Sequence, residues 1–181
     1  MLVRFVSPDL RRLDELRGEA LCTGLFEEER PPSGVLGLVD WRLAGWVSQA
    51  VAEGRIDGHW DGRWLVPVGG AFPFEKLFVF GLGSQGAFDE RRQERVVDAM
   101  LRTLRRGRVR STALALPGRS LGEGAALAAA EYLAERLLHA GEPDEVVVVE
   151  EAKRHRDLER AVARARRRSS LAQAEAGRSS S

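Results

Sequence analysis

The apolar residues of this chain follow two spacings that alternate along its length. Short runs of consecutive apolar residues, typical of buried strands, are separated by segments in which apolar residues recur every three or four positions, as on one face of a helix. The runs predict strands over residues 2–6, 20–26, 63–68, 76–81, 111–116 and 145–149. The other segments predict helices over residues 41–53, 90–106 and 123–140, and a last helix from about residue 152. This alternation predicts an α/β fold with a mixed, mostly parallel sheet and helices on both faces.

Residues that favour helix ends support two of these helices. Asp40 is predicted to cap the helix over residues 41–53, because its carboxylate can accept an N–H group that has no partner in the first turn. Asp89 stands in the same position before the next helix. Gly54 and Gly107 are expected to end these two helices, since glycine readily adopts the backbone of a helix end.

The end of the chain differs in composition from the rest. From Arg166 onward the apolar stripe of the last helix fails, and the chain becomes rich in arginine and serine. Such segments bury too little apolar surface to order themselves. The sequence therefore predicts one domain over residues 1–165 and a disordered tail over residues 166–181.

Length and composition indicate one soluble domain. The chain has 181 residues, 44% of them hydrophobic, and a net charge of +1. A charge so near zero gives no general attraction to nucleic acid or to a membrane surface. Cys22 is the single cysteine, and no segment suggests a signal peptide or a membrane span. We therefore expect a cytoplasmic protein.

Charge is nevertheless distributed unevenly along the chain. Residues 91–119 carry a net charge of +7, residues 120–151 a net charge of −7, and residues 152–181 a net charge of +6. Blocks of opposite sign can be solvated helix faces, or patches through which copies of the chain associate. Both interpretations stay open at this point.

The segment from Gly34 to Gly83 carries a resemblance to a known family. It contains a turn, an amphipathic helix, a turn rich in glycine and aspartate, a strand, a break and a buried strand that ends in Gly81-Leu82-Gly83. This order resembles the N-terminal domain of the leucyl (cytosol) aminopeptidases, and the resemblance extends over residues 1 to about 165. It implies a three-layer α/β/α fold that is similar to macro domains.

The resemblance also implies what this chain should lack. In the aminopeptidases the metals and the catalytic residues belong to a second, C-terminal domain, with a signature similar to N-T-D-A-E-G-R. No such string occurs here, and neither Lys76 nor Lys153 has a matching context. We therefore expect no catalytic residue, no metal site and no cofactor, and a chain that ends before a catalytic domain begins.

One local motif has a mechanism for binding a ligand. The sequence Gly81-Leu82-Gly83-Ser84-Gln85-Gly86 follows a buried strand and precedes a helix, as G-x-G-x-x-G loops that hold phosphate groups do. Macro domains use a glycine-rich loop of this kind for the diphosphate of ADP-ribose. Asp89 and Glu90 would repel a phosphate, so a tight strand-to-helix turn is the alternative interpretation. The candidate ligand-binding residues are Gly81, Gly83, Ser84, Gln85 and Gly86.

Four tryptophans form a second candidate site. Trp41, Trp46, Trp60 and Trp64 lie within 24 residues. They can pack together as a small satellite core, or one or two can be exposed as a patch that binds a partner, since tryptophan is enriched at interaction hot spots. The segment Arg91–Arg110 contains eight arginines, but no aromatic residues are interleaved with them, which disfavours nucleic-acid binding.

Together these features favour a free-standing, non-catalytic homologue of the aminopeptidase N-terminal domain. Its expected role is that of a structural or regulatory protein-interaction module. It would form a dimer or dock to another protein, an aminopeptidase among the possible partners. The alternative is a macro-like module that binds a nucleotide or ADP-ribose at the loop from Gly81 to Gly86.

Overall fold

A computed structural model describes residues 2–118, 123–140 and 143–178 of the chain. It contains a six-stranded sheet in the order β1-β6-β5-β2-β4-β3. The strands are β1 (Leu2–Val6), β2 (Gly18–Phe26), β3 (Arg63–Val66), β4 (Phe74–Gly83), β5 (Ser111–Leu114) and β6 (Glu145–Val149). The helices are α1 (Leu10–Glu15), α2 (Gly34–Arg42), α3 (Trp46–Ala52), α4 (Glu90–Arg106), α5 (Glu123–Ala140) and α6 (His155–Arg178).

The sheet is mixed and mostly parallel, as predicted. Strands β1, β6, β5, β2 and β4 pair in parallel, and the edge strand β3 is antiparallel to β4. One face of the sheet packs against α1, α2 and α3, and the other face packs against α4, α5 and the start of α6. The three-layer α/β/α architecture is therefore confirmed. None of the helices in the described part of the chain has the length and apolar character needed to cross a membrane.

Strand β2 lies in the middle of the sheet and is buried on both faces. Leu21 and Leu25 belong to the core under α1–α3, whereas Cys22 and Phe26 belong to the core under α4–α6. Successive side chains of a strand point to opposite faces, so a strand covered on both sides must be apolar nearly throughout. This explains why β2 and β4 were recognisable as uninterrupted apolar runs.

The helix predicted over residues 41–53 is wrong, because the structure has two shorter helices there. Helix α2 begins at Gly34, and α3 follows after a break at Gly45, whose φ is +80°. Asp40 lies inside α2 and is only 7% exposed. Its carboxylate accepts the N–H groups of Val47 at 2.7 Å and Ser48 at 3.1 Å. Asp40 thus caps a helix as its chemistry predicts, but it caps α3 from the end of the preceding helix.

Part of the acidic block at residues 120–151 is neutralised within the chain. On α5, Glu131 pairs with Arg164 of α6, and Glu135 pairs with Arg168 at 2.8 Å. Arg136 of α5 pairs with Asp98 of α4, also at 2.8 Å. Carboxylates of α5 in the acidic block therefore meet their opposite charge on α6 of the same molecule, which favours the first of the two interpretations of the charge pattern.

Helix α6 continues to Arg178, although the sequence predicts a disordered tail from Arg166. Alanine and arginine both have high helix propensity, so a helix can continue without a buried stripe. The pairs that Arg164 and Arg168 make with α5 tie this part of α6 to the domain. The correction concerns residues 166–178, since residues 179–181 lie outside the described residues. The domain boundary at residue 165 stays a prediction.

The two phenylalanines of β4 offer a test of this core. Phe80 is 2% exposed within the α4–α6 core, whereas Phe78 only packs against its rim. Replacing Phe80 with Ala should lower the free energy of unfolding by about 3–5 kcal/mol, since a cavity is left in a closed core. Phe78→Ala should cost clearly less, because that site is already partly open. Urea denaturation of the two variants measures the difference, and equal losses would contradict the placement of β4.

Candidate functional site

The glycine-rich loop singled out by the sequence is mostly part of the sheet. Strand β4 continues to Gly83, so Gly81 belongs to a strand, and a single 3₁₀ turn spans Gln85–Ala87. Asp89 caps α4 by accepting the N–H of Arg92 at 2.8 Å, as predicted. The loop therefore makes a tight connection between a buried strand and a helix.

Both glycines at the end of β4 are packed against the turn at residues 58–62. An ideal Cβ on Gly81 would lie 1.8 Å from the carbonyl oxygen of His59. The N–H of Gly81 donates to the oxygen of Gly62 at 2.8 Å, and the N–H of Gly83 donates to that of Gly58 at 3.0 Å. These contacts explain the glycines by close approach of two backbone segments, without a phosphate.

The Glu28 carboxylate already accepts a backbone N–H of this loop, that of Gln85. The N–H of Gln85 is 3.1 Å from each carboxylate oxygen of Glu28. In phosphate-binding loops this kind of N–H group points at the phosphate. Gly81, Gly83 and Gln85 thus have internal partners, and an open phosphate site formed by Gly81, Gly83, Ser84, Gln85 and Gly86 stays a prediction.

A cavity lies beside this loop, at the carboxyl ends of the parallel strands. Its volume is about 390 Å³. It lies between β2, whose chain continues to β3 and β4 on one side, and β5, whose chain continues to β6 on the other. Ligands of open α/β sheets bind at such switch points. The lining residues are Thr23, Gly24, Phe26, Glu29, Ser33, Gly34, Val35, Leu82, Gln85, Ala115, Leu116, Pro117, Gly118, Glu151 and Arg154.

The N-terminus of α2 opens into this cavity. The Ser33 side chain makes no capping bond to α2; its hydroxyl donates to the Glu29 carboxylate instead. Gly34 has a φ of +56°, and an ideal Cβ there would meet no atom within 4 Å. The first N–H groups of a helix have no acceptor inside the helix, and they carry its partial positive charge. Positive potential is therefore available at this wall of the cavity.

Arg154 supplies a second positive group. Its Nη1 lies 3.5 Å from Oε1 of Glu150, a side chain only 1% exposed at the end of β6. The buried Nε and Nη1 atoms of Arg154 make no hydrogen bond to any described residue. Glu29 and Glu151 also line the cavity, and Glu29 accepts the N–H of Phe26 at 2.9 Å. The site is thus polar with mixed charge, with apolar walls from Phe26 and its neighbours.

The four tryptophans do not form one satellite core, so that interpretation is wrong. Trp60 packs on the α4–α6 side of the sheet, and Trp46 and Trp64 pack on the opposite side. Trp41 is 67% exposed on α2, with the Arg42 guanidinium 5.2 Å from its ring centre. The tryptophans are close in sequence but separated in space, because the sheet lies between Trp60 on one face and Trp46 and Trp64 on the other. An exposed tryptophan remains available as an interaction patch.

The single cysteine lies in the core. Burial raises the pKa of the Cys22 thiol, although a hydrogen bond with Thr112 partly opposes this, so the reactive thiolate is disfavoured. In residues 2–118, 123–140 and 143–178, no three His, Cys, Asp or Glu side chains come together as a metal site would require.

Sequence analysis missed most of the cavity. Gln85 was among the candidate residues, but Thr23, Ser33, Gly118 and Arg154 were not. Two signals could have pointed to them: Ser33-Gly34 precedes an apolar helix, and Pro117-Gly118 follows a buried strand. Both are the connections at which α/β sheets place ligands. Arg154 lies in the turn Ala152–Arg154 between β6 and α6, where the sequence predicted the start of the last helix.

The chain belongs to the cytosol aminopeptidase family. A model of the N-terminal domain of that family matches residues 24–145, which confirms the resemblance found in the sequence. A probable cytosol aminopeptidase of Thermosynechococcus vestitus is 30% identical over 129 residues, which cover 68% of this chain and 24% of that protein. One from Gloeobacter violaceus is 28% identical over 121 residues, covering 67% of this chain and 24% of that protein. The chain therefore spans about a quarter of these relatives, and the matched region is their N-terminal domain.

Solved structures confirm the fold. A mutant of tomato leucine aminopeptidase superposes with a TM-score of 0.63 at 16% identity, covering 91% of this chain and 35% of that one. A Trypanosoma brucei macrodomain in complex with ADP has a TM-score of 0.65 at 13% identity, covering 88% and 67%. The macrodomain of Thermus aquaticus DarG has a TM-score of 0.59 at 20% identity, covering 82% and 98%. The domain is thus an aminopeptidase N-terminal domain with a macrodomain-like fold.

A pair of glycine substitutions tests the structural role of the loop. Gly81→Ala should destabilise the protein by about 1–3 kcal/mol or more, because its Cβ would overlap the His59 carbonyl and force the backbone apart. Gly86→Ala is the matched control, since an ideal Cβ on Gly86 meets no atom within 4 Å. Thermal unfolding of both variants gives the comparison. Similar melting temperatures for the two would contradict the close packing of β4 on the turn at residues 58–62.

Proposed function

We propose that this domain is a non-catalytic binding module that holds an anionic small molecule of the nucleotide class in the cavity at the switch point. The observation that carries this proposal is the α2 N-terminus, which opens into the cavity without a side-chain cap. An anion placed there gains both hydrogen bonds from free N–H groups and the favourable end of the helix dipole.

The dimensions and lining of the cavity fit such a ligand. Its volume of about 390 Å³ falls within the range of roughly 300–1,000 Å³ typical of small-molecule sites. Phe26, Val35 and Leu82 provide apolar surface for a ring system, and Thr23 and Gln85 provide polar groups that can orient it. Arg154 also lines the cavity, and its guanidinium can bind a second negative group of the ligand.

The fold gives further support. One similar structure is a macrodomain in complex with ADP, so this architecture accommodates a nucleotide in at least one protein. The alternative interpretation of the sequence has the ligand at the loop from Gly81 to Gly86. We instead place its anionic part at Ser33 and Gly34, because Glu28 already binds the N–H of Gln85.

The non-catalytic part of the proposal rests on the side chains themselves. No three potential metal ligands come together among the described residues, and the single cysteine is buried. Hydrolysis of leucine p-nitroanilide that copurifies with the chain would contradict it. A cytoplasmic location is also proposed, from the family to which the chain belongs.

A matched pair of variants at Gly34 tests ligand binding. Asn and Asp both tolerate positive φ, and open space surrounds this position. Gly34→Asn should keep the affinity for ADP or ADP-ribose, whereas Gly34→Asp should weaken it about tenfold or more, because its carboxylate occupies the anion position. Isothermal titration calorimetry gives the affinities. Equal affinities for the two variants, or no binding to the unmodified chain at millimolar ligand, would overturn the proposal.

Self-association through α2 is a second candidate function, favoured by the exposure of Trp41. On α2 the only polar side chains are Asp40, which turns inward to cap α3, and Arg42, which pairs with Asp14 of α1. A helix with so little charge is usually covered. We propose that a second copy of the chain covers this face; another protein, such as an aminopeptidase, is the remaining possibility for a structural or regulatory role.

Sedimentation velocity tests this second candidate. The chain should form a dimer at both low and high salt, because apolar contacts are not screened by ions as charge pairs are. Trp41→Ala should yield monomer, and Leu65→Ala is the control, since Leu65 is an equally exposed apolar residue elsewhere on the surface. A monomer at every concentration, or the same response of both variants, would contradict association through α2.

A further inference from the structure

The edge strand β3 leaves part of its backbone without a strand partner. Among the strands of the described residues, β3 pairs only with β4 and forms one end of the sheet order. Leu65, in the middle of β3, is 62% exposed. An exposed strand edge can accept a further extended chain through main-chain hydrogen bonds.

The register shows which backbone groups face outward. The N–H of Gly81 donates to the oxygen of Gly62, and the register then pairs Arg63 with Phe80 and Leu65 with Phe78. In an antiparallel pair, residues alternate between bonding to the partner strand and pointing away from it. Since Gly62 bonds to β4, Arg63 and Leu65 direct their N–H and C=O groups to the open edge.

Arginines surround this edge on the α4 side. A small cavity of about 70 Å³ lies between β3 and α4, and its lining includes Trp60, Arg63, Arg95 and Arg102. This is about twice the volume of a water molecule, roughly the size of one carboxylate group. The guanidinium of Arg95 lies 5.2 Å from the ring centre of Trp60, and that of Arg92 lies 4.7 Å from it.

These arginines are incompletely neutralised. Arg63 pairs with Asp61 at 2.7 Å, and Arg102 lies 4.0 Å from Asp98, which also pairs with Arg136. Within the described residues, Arg92 and Arg95 have no carboxylate at ion-pair distance, and both guanidinium groups lie over the Trp60 ring. The edge of the sheet therefore carries positive charge held in place by an aromatic side chain.

We propose that β3 binds an extended acidic peptide segment of a partner protein. The segment would add to the sheet beside β3, form main-chain hydrogen bonds with Arg63 and Leu65, and place a carboxylate among Arg63, Arg95 and Arg102. None of the residues that line this cavity lines the ligand cavity at the switch point. The site is therefore independent of the function proposed above.

The charge argues against two other occupants. A second copy of the chain paired through β3 would bring two sets of arginines together, and like charges at an edge prevent such pairing. A single-stranded nucleic acid would meet the arginines, but it has no extended amide backbone to match the outward groups of Arg63 and Leu65.

Fluorescence polarisation with three labelled probes tests the proposal. The probes are a peptide of four Glu-Val repeats, a peptide of four Lys-Val repeats and an oligothymidylate. Only the acidic peptide should bind. Arg95→Glu combined with Arg102→Glu should weaken its affinity about tenfold or more. Arg156→Glu combined with Arg160→Glu is the matched control, because it makes the same charge change on α6, which starts beside β1 at the opposite end of the sheet, and should keep most of the affinity.

A backbone variant separates strand addition from simple charge attraction. Leu65→Pro removes an outward N–H but no bond to β4, so the sheet should persist while peptide binding is lost. Leu65→Ala removes the side chain alone and should lose less affinity. Circular dichroism establishes that each variant is folded. Three results with the probes would overturn the proposal: equal weakening by both arginine pairs, binding of oligothymidylate at least as tight as that of the acidic peptide, or no binding of either peptide. Equal binding by folded Leu65→Pro and by Leu65→Ala would also overturn it.

Discussion

The position of β2 between two parallel strands is the constraint on which the rest of this structure depends. β2 pairs with β4 over eight residues on one side and with β5 over three on the other. The chain leaves β2 in one direction and leaves β5 in the other, so the connections diverge and leave a cleft at the carboxyl edge. Only seven residues, 27–33, link β2 to α2. This short link holds the N-terminus of α2 at the cleft, where Ser33, Gly34 and Val35 line the cavity.

A second consequence of the same sheet explains why a familiar motif was misleading. The run from Gly81 to Gly86 has the spacing of a phosphate-binding loop, yet the turn at residues 58–62 packs directly on Gly81 and Gly83. Glycine is required wherever two backbones approach closely, and a phosphate is only one reason for that requirement. The motif therefore has a sufficient structural cause, and the proposed anion site lies at a helix start that the motif does not include.

Much of the fold could be predicted from the sequence, because the strands are buried on one or both faces and read as apolar runs. Helices with strong stripes and good caps, such as α4 after Asp89, were also predicted correctly. Short helices such as α1 and α2 were missed. In α2 apolar residues surround the axis, so no periodicity marks it, and Asp40 indicated a cap without indicating which helix it caps.

The cavity was largely missed, since Thr23, Gly118 and Arg154 meet only after three strands are in register. The separation of the tryptophans likewise depends on the sheet that passes between them.

The function proposed for this domain is the non-catalytic binding of an anionic ligand at the switch point. Amide chemical shifts of ¹⁵N-labelled protein on addition of ADP test this placement most directly, because each backbone N–H reports its own surroundings. If the ligand binds in the cavity, saturable shifts are expected at Gly24, Gly34, Val35 and Gly118, which line it. Shifts concentrated at Gly83, Ser84 and Gly86 would instead indicate binding at the glycine-rich loop. An unchanged spectrum at millimolar ADP would contradict nucleotide binding by this domain.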